Sequence, residues 1–199
     1  MRKLSIPALG VTLALLLTSC SPRDFLTRRL AADLIATSNT FRTPKQFQLS
    51  TGIVSNQAYL SPNNLALQHH GWISGTVVRC PPAIAPAPCW DVTLTPSGVD
   101  TIQPLIAPGD AEKQSFSIPA AKRELISITG IAKQGNSADI EFTWRWIPLN
   151  EIGAAISSGD SHYTSTASFR DYDDGWRVVE TSHPGQPLDE ALKAADPTS

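Results

Sequence analysis

Four groups of residues in this 199-residue chain have side chains capable of chemistry. His69 and His70 could bind a metal, and His162 and His183 could act as bases. Asp171, Asp173 and Asp174 could hold a cation, and Cys20, Cys80 and Cys89 could cross-link, ligate or be modified. Spacing argues against most of these roles. Adjacent residues on a helix project about 100 degrees apart, so His69-His70 lack the i, i+4 arrangement of helical metal sites and read as surface or capping histidines. An EF-hand loop starting at Asp171 would need glycine at its sixth position and glutamate at its twelfth. In "DYDDG" the glycine, Gly175, is fifth, and the twelfth residue is Ser182. Asp and Gly instead suit a hairpin turn. No Gly-x-Ser-x-Gly elbow or reactive-cysteine context accompanies the isolated histidines. Gly-rich phosphate loops and dinucleotide fingerprints do not occur in the sequence. The expectation is therefore no catalytic residue, no metal ligand and no cofactor.

Cys20 points to modification. The chain opens with Arg2 and Lys3, runs apolar from Ile6 to Leu17 and reaches the small residues Thr18 and Ser19 before Cys20, the layout of an export signal. The apolar run falls well short of the roughly 20 residues a membrane-spanning helix needs. Leu17-Thr18-Ser19-Cys20 resembles the bacterial lipobox, in which a branched apolar residue and two small ones precede an acylated cysteine. The resemblance implies that residues 1-19 are a lipoprotein signal peptide and that Cys20 is diacylated and becomes the new N-terminus. The partner it implies is a membrane, held through lipid chains that each contribute roughly 0.8 kcal/mol per buried methylene. Ser21 stands where an aspartate would, in that family, favour the inner membrane. This implies the outer membrane, facing the periplasm. The alternative is an ordinary cleaved signal with an incidental cysteine.

Export bears on the other two thiols. Outside the reducing cytoplasm, Cys80 and Cys89, which bracket "CPPAIAPAPC", are expected to form a disulfide. Closing so short a loop contributes roughly 2.7 kcal/mol on the chain-entropy account. Two free thiols are the alternative, and a zinc site lacks further ligands within the loop. Losing Arg2 and Lys3 takes the basic residues from 16 to 14 against 18 acidic ones, a net charge of about −4, which gives no general attraction to nucleic acid.

The elements that would position any site follow from local patterns. Ser21-Pro22 reads as a helix start, followed by a Leu26, Leu30, Leu34 stripe to about Thr37. A strand is expected near Phe47 to Thr51. Ser61-Pro62 starts a second helix, ended at Gly71 and followed by strands over 72–79 and 90–95. Residues 59 to 106, with "LTPSG" opening a further helix, resemble the second half of a winged-helix domain. A single arginine, Arg79, and no lysine in that segment exclude carrying over DNA binding.

Past a boundary near 107–115, Ile126 and Ile128 share one face of a strand. Ile140, Phe142, Trp144 and Trp146 then alternate with Asp139, Glu141, Thr143 and Arg145. Tyr163, Ala167 and Phe169 alternate with Thr164, Thr166, Ser168 and Arg170, and "DYDDGWRVV" turns into a last strand. The expectation is an α+β protein with an N-terminal helix, a small helix-plus-hairpin unit and a C-terminal antiparallel four-stranded curved sheet. Residues 115 to 181 resemble the cystatin-type, nuclear-transport-factor-like roll. The expected divisions are 1-19, 20-110, 111-185 and a flexible tail over 186-199.

Five tryptophans invite a sugar-stacking reading, but Trp144 and Trp146 alternate in phase with Ile140 and Phe142, which favours core packing. Ligand or partner contacts are expected where the apolar face runs out, at Trp146 and Tyr163, from a small apolar ligand or an envelope protein. The function expected is binding or support of an assembly. An envelope hydrolase with catalytic residues dispersed through the fold is the alternative, and a structural spacer a third. Mass spectrometry of the processed protein is expected to find an acylated Cys20 at the N-terminus, and Cys20→Ala to block processing. An unmodified N-terminus elsewhere would refute the lipobox reading.

Overall fold

The computed structural model describes residues 25–84, 87–107, 114–157, 161–180 and 185–197, so Cys20, Ser21 and His183 lie outside the described residues. The fold is α+β with antiparallel sheets. Helix α1 (Arg28–Thr37) starts at Thr27, whose hydroxyl accepts the Leu30 N–H, and α2 (Asn39–Arg42) follows at once. The stripe expected from Leu26, Leu30 and Leu34 only flanks the contact: Ala31 and Ile35 are the fully buried positions, and the leucines pack partly buried beside them.

Next come β1 (Lys45–Ser50) and β2 (Gly52–Ser55). Gly52, at φ 75°, occupies the left-handed region that glycine tolerates, and there the chain leaves one sheet for the other. Helices α3 (Asn56–Tyr59) and α4 (Pro62–His69) are capped by Ser55 and Ser61. Strands β3 (Ile73–Val78) and β4 (Cys89–Leu94) complete a three-stranded sheet of order β2-β4-β3. Cys80 and Cys89 form a disulfide across the loop between them. Helix α5 (Pro96–Ile102) opens at Thr95, which accepts the Gly98 N–H.

The second sheet has five strands rather than the expected four. Its order is β1-β5-β6-β7-β8, with β5 (Ser115–Gln134), β6 (Ser137–Pro148), β7 (His162–Tyr172) and β8 (Gly175–Val178). The extra strand is β1, whose Phe47 and Leu49 lie opposite Ile118 and Phe116. The turns fall where expected, at Gly135-Asn136 and at Asp173-Asp174, where Asp174 also pairs with Arg177.

Bulges revise the expected faces of β5. Leu125 lies opposite Trp144 and Ser127 opposite Thr143, so Ile126 is an extra residue without a partner and is 44% exposed instead of joining Ile128 on the apolar face. A second irregularity between Ile128 and Gly130 brings Ile131 opposite Ile140.

Two cores result, one on each face of this sheet. Phe116, Ile118 and Ala120 of β5 pack with the three-stranded sheet and α6 (Glu151–Ile156). Leu125 and Ile128 join Phe142, Trp144, Ala167 and Phe169 beneath α1 and α7 (Leu188–Ala195). The expectation of a flexible tail is corrected here: Leu188, Ala191 and Leu192 are buried, and the helix packs on β7.

Gly153 lets α6 sit directly on β5, since a Cβ there would lie 1.8 Å from the Ala120 carbonyl oxygen. Gly153→Ala is therefore expected to lower stability by about 1–3 kcal/mol, as overpacked substitutions do. The urea midpoint measures this, and an unchanged midpoint would contradict the close packing.

Candidate functional site

Where α1 and α7 cease to cover the aromatic face, the sheet ends in a cluster around two tryptophans. Trp144 is 0% exposed, and its indole N–H donates to Ser165 Oγ at 2.9 Å; Ser165 in turn donates to the Ala191 carbonyl of α7 at 3.1 Å. Trp146 meets Trp144 edge-on at 5.4 Å, and Tyr163 stacks on Trp144 at 4.6 Å. These distances fall in the range where aromatic pairs add to area burial.

One carboxylate ties the cluster together. Asp196, whose side chain is 4% exposed, accepts the Trp146 indole N–H at 2.7 Å and pairs with Lys45 Nζ at 3.2 Å. Buried carboxylates need such partners, because leaving water costs several kcal/mol. Lys45 also lies over the Trp146 ring at 5.4 Å, and the Arg123 guanidinium covers the same ring at 4.4 Å. Arg123 donates to the Thr40 and Thr43 carbonyls at 3.0 and 3.1 Å. Burial lowers its pKa and the negative Asp196 opposes that shift. The Tyr163 hydroxyl is held above its ordinary range, first by burial and then by Asp196, with a hydrogen bond to Ser161 acting in the opposite direction. At neutral pH the phenol is therefore protonated and can donate.

Beside this cluster opens a cleft of about 680 Å³. Trp146 and Tyr163, the two positions expected from the sequence, both line it. Lys45, Gln46, Phe47, Gln48 and Ser50 of β1 form one side; Ala58 and Ser61 to Asn64, at the α3–α4 junction, form another; Gly153 and Ile156 of α6, with Ser157 just after it, close a third. Local sequence sets these walls. Ser61 caps α4, and Asn64 Nδ2 donates to the Ala58 carbonyl at 2.7 Å, folding the two short helices together. Asn150 caps α6 by accepting the Gly153 N–H, and also donates to the Pro119 carbonyl at 2.7 Å, fastening α6 to β5.

The described lining combines an aromatic and aliphatic floor with amides and hydroxyls and one cation, Lys45, paired with Asp196. That chemistry suits a neutral occupant with apolar groups and a few hydrogen-bonding atoms. The described lining contains no His, Cys, Asp or Glu, and no group of three such residues among the described residues could hold a metal. His69 and His70 lie elsewhere, with His70 stacked on Trp72 at 4.5 Å. Sequence reasoning missed Lys45, Arg123 and Asp196. Nothing local marks them, since their partners are 151 residues apart in the case of Lys45 and Asp196.

The chain matches no protein-family model, no curated protein and no solved structure.

Asp196→Ala leaves the Trp146 indole and Lys45 without their shared acceptor. It is expected to cost about 2 kcal/mol and to speed hydrogen exchange at the Leu192 and Asp196-position amides of α7. Protection equal to that of the parent chain would show that the carboxylate does not hold the helix.

Proposed function

We propose that this chain is a cell-envelope lipoprotein, anchored through Cys20 to the outer membrane and facing the periplasm, whose folded part works by binding rather than catalysis. The observation that carries the binding part is the cleft itself. Its volume is within the usual range for ligand sites, and a part-buried aromatic floor stands among convergent amides and hydroxyls. The occupants it suits are a small apolar ligand or a segment of an envelope protein. The anchoring part rests on the lipobox resemblance.

An envelope hydrolase would need a nucleophile, a base and an orienting group converging on one point. Ser61, Ser157, Ser161 and Tyr163 supply hydroxyls to the described lining, which provides no imidazole or carboxylate to activate them. The element order β2-α3-α4-β3-β4-α5 and the sheet order β2-β4-β3 support reading the smaller unit as winged-helix-like in architecture. The helix α1 over the β5–β8 meander supports the roll-like reading of the larger one.

N-phenyl-naphthylamine, a neutral dye whose emission rises in apolar surroundings, tests the binding reading on the unacylated chain. Trp146→Leu removes part of the floor and Ala58→Trp fills the cleft. Each is expected to weaken dye binding by about tenfold, equivalent to 1.4 kcal/mol, while Thr143→Ala leaves it unchanged. Equal affinity in all four proteins, or no dye binding, would overturn the reading.

A further inference from the structure

The main-chain geometry of β1 specifies the class of occupant. β1 is the outermost strand of its sheet and pairs only with β5. Among the described residues, no backbone hydrogen bond from a turn or loop reaches Gln46 to Leu49. Among the described residues, the side of β1 away from β5 therefore presents N–H and C=O groups of Gln46 to Leu49. Proteins usually protect such edges with prolines, charges or a covering element. β1 contains no proline, and its single charge, Lys45, sits at its first position in a pair with Asp196.

The cleft runs along this edge. Successive strand residues point to opposite faces, so a cleft confined to one face would touch every second residue. This one touches Gln46, Phe47 and Gln48 in succession and then Ser50. Register confirms the point: Gln48 lies opposite Ser117, on the face that carries Trp146, and Phe47 lies opposite Ile118, on the face packed against the three-stranded sheet. An occupant thus meets Trp146 and Tyr163 from one face, Phe47 and aliphatic groups from the other, and the edge of the strand between them.

We propose that the cleft takes an extended polypeptide segment, which adds to β1 as a sixth strand of the sheet; this rests on the binding reading above. Main-chain hydrogen bonds would supply much of its affinity, and alternate side chains would reach Trp146 and Tyr163 on one side and Phe47 and Val54 on the other. The six residues of β1 span about 20 Å, enough for a segment of roughly five or six residues. Charge favours a neutral segment: among the described lining residues the one charged side chain, Lys45, is already paired with Asp196, so an added carboxylate or ammonium would lose its water beside an ion pair that is already made. A second copy of this chain fits less well, because each copy's β1 lies in a cleft walled by its own α4 and α6.

The test uses random linear heptapeptides displayed on phage and selected on the unacylated chain. A selected peptide is then made synthetically with each backbone amide N-methylated in turn. The expected result is that the peptide displaces N-phenyl-naphthylamine, and that methylating every second amide weakens binding about tenfold or more while methylating the intervening amides has little effect. An N-methyl scan without this alternation would overturn strand addition. If the dye binds in a Trp146-dependent way but no selected peptide displaces it, the polypeptide assignment falls and the binding reading stands. If the dye does not bind, both fall. A concentration-dependent dimer whose formation blocks the peptide would also overturn the assignment, in favour of a second copy.

Discussion

The fold depends on one long strand serving two cores. The first third of β5 directs Phe116, Ile118 and Ala120 to one face of the sheet, against the three-stranded sheet and α6. The rest directs Leu125 and Ile128 to the other, under α1 and α7. A strand with strict alternation would keep each parity of residue on one face throughout. The bulge at Ile126 breaks that parity, so that Leu125 and Ile128, three apart, both meet the aromatic face. Bulges also bend a strand and increase its twist. The ends of β5 can therefore follow different neighbours, β1 at one end and β6 along most of its length.

The cleft is a consequence of that division. β1 covers β5 only as far as Ala121, and Trp146 pairs with Arg123 just beyond it. Trp146 is left at a margin where neither the helices of the aromatic face nor β1 fully covers it. The protein satisfies that margin with polar groups. Asp196 accepts the indole N–H, and Lys45 and Arg123 lie against the ring. Each cation contributes a cation–π contact while a carboxylate balances the local charge. The same carboxylate fixes the end of α7, so the C-terminal helix, the first residue of β1 and the floor of the cleft are mechanically connected.

Much of the candidate site was legible because its strands carry their pattern locally. Ile140, Phe142 and Trp144 are all fully buried, as their alternation with Asp139, Glu141 and Thr143 implies. The aromatic run was expected to outlast its cover near Trp146 and Tyr163, and these two are the part-buried aromatics at the cleft. The opposite wall gave no such signal. Asn63, Asn64 and Ile156 come from two short helices whose own sequences do not record that they face each other.

What the sequence determined by itself was short-range: the helix starts at Ser61-Pro62 and Thr95-Pro96, the turns at Gly135 and Asp173-Asp174, the inward and outward faces of β6, and two cysteines close enough to join. Each rests on backbone preference, capping or alternation within about ten residues, which the chain carries whatever it packs against. Only the tertiary structure decided that Lys45–Ser50 pairs with Ser115–Ala121, that Ile126 is extruded, that Leu188–Ala195 is a packed helix, and that Asp196 closes on Trp146. Those outcomes depend on contacts between segments far apart in the chain, where the free energy comes from buried area and from satisfying polar groups after burial. No local pattern encodes the partner.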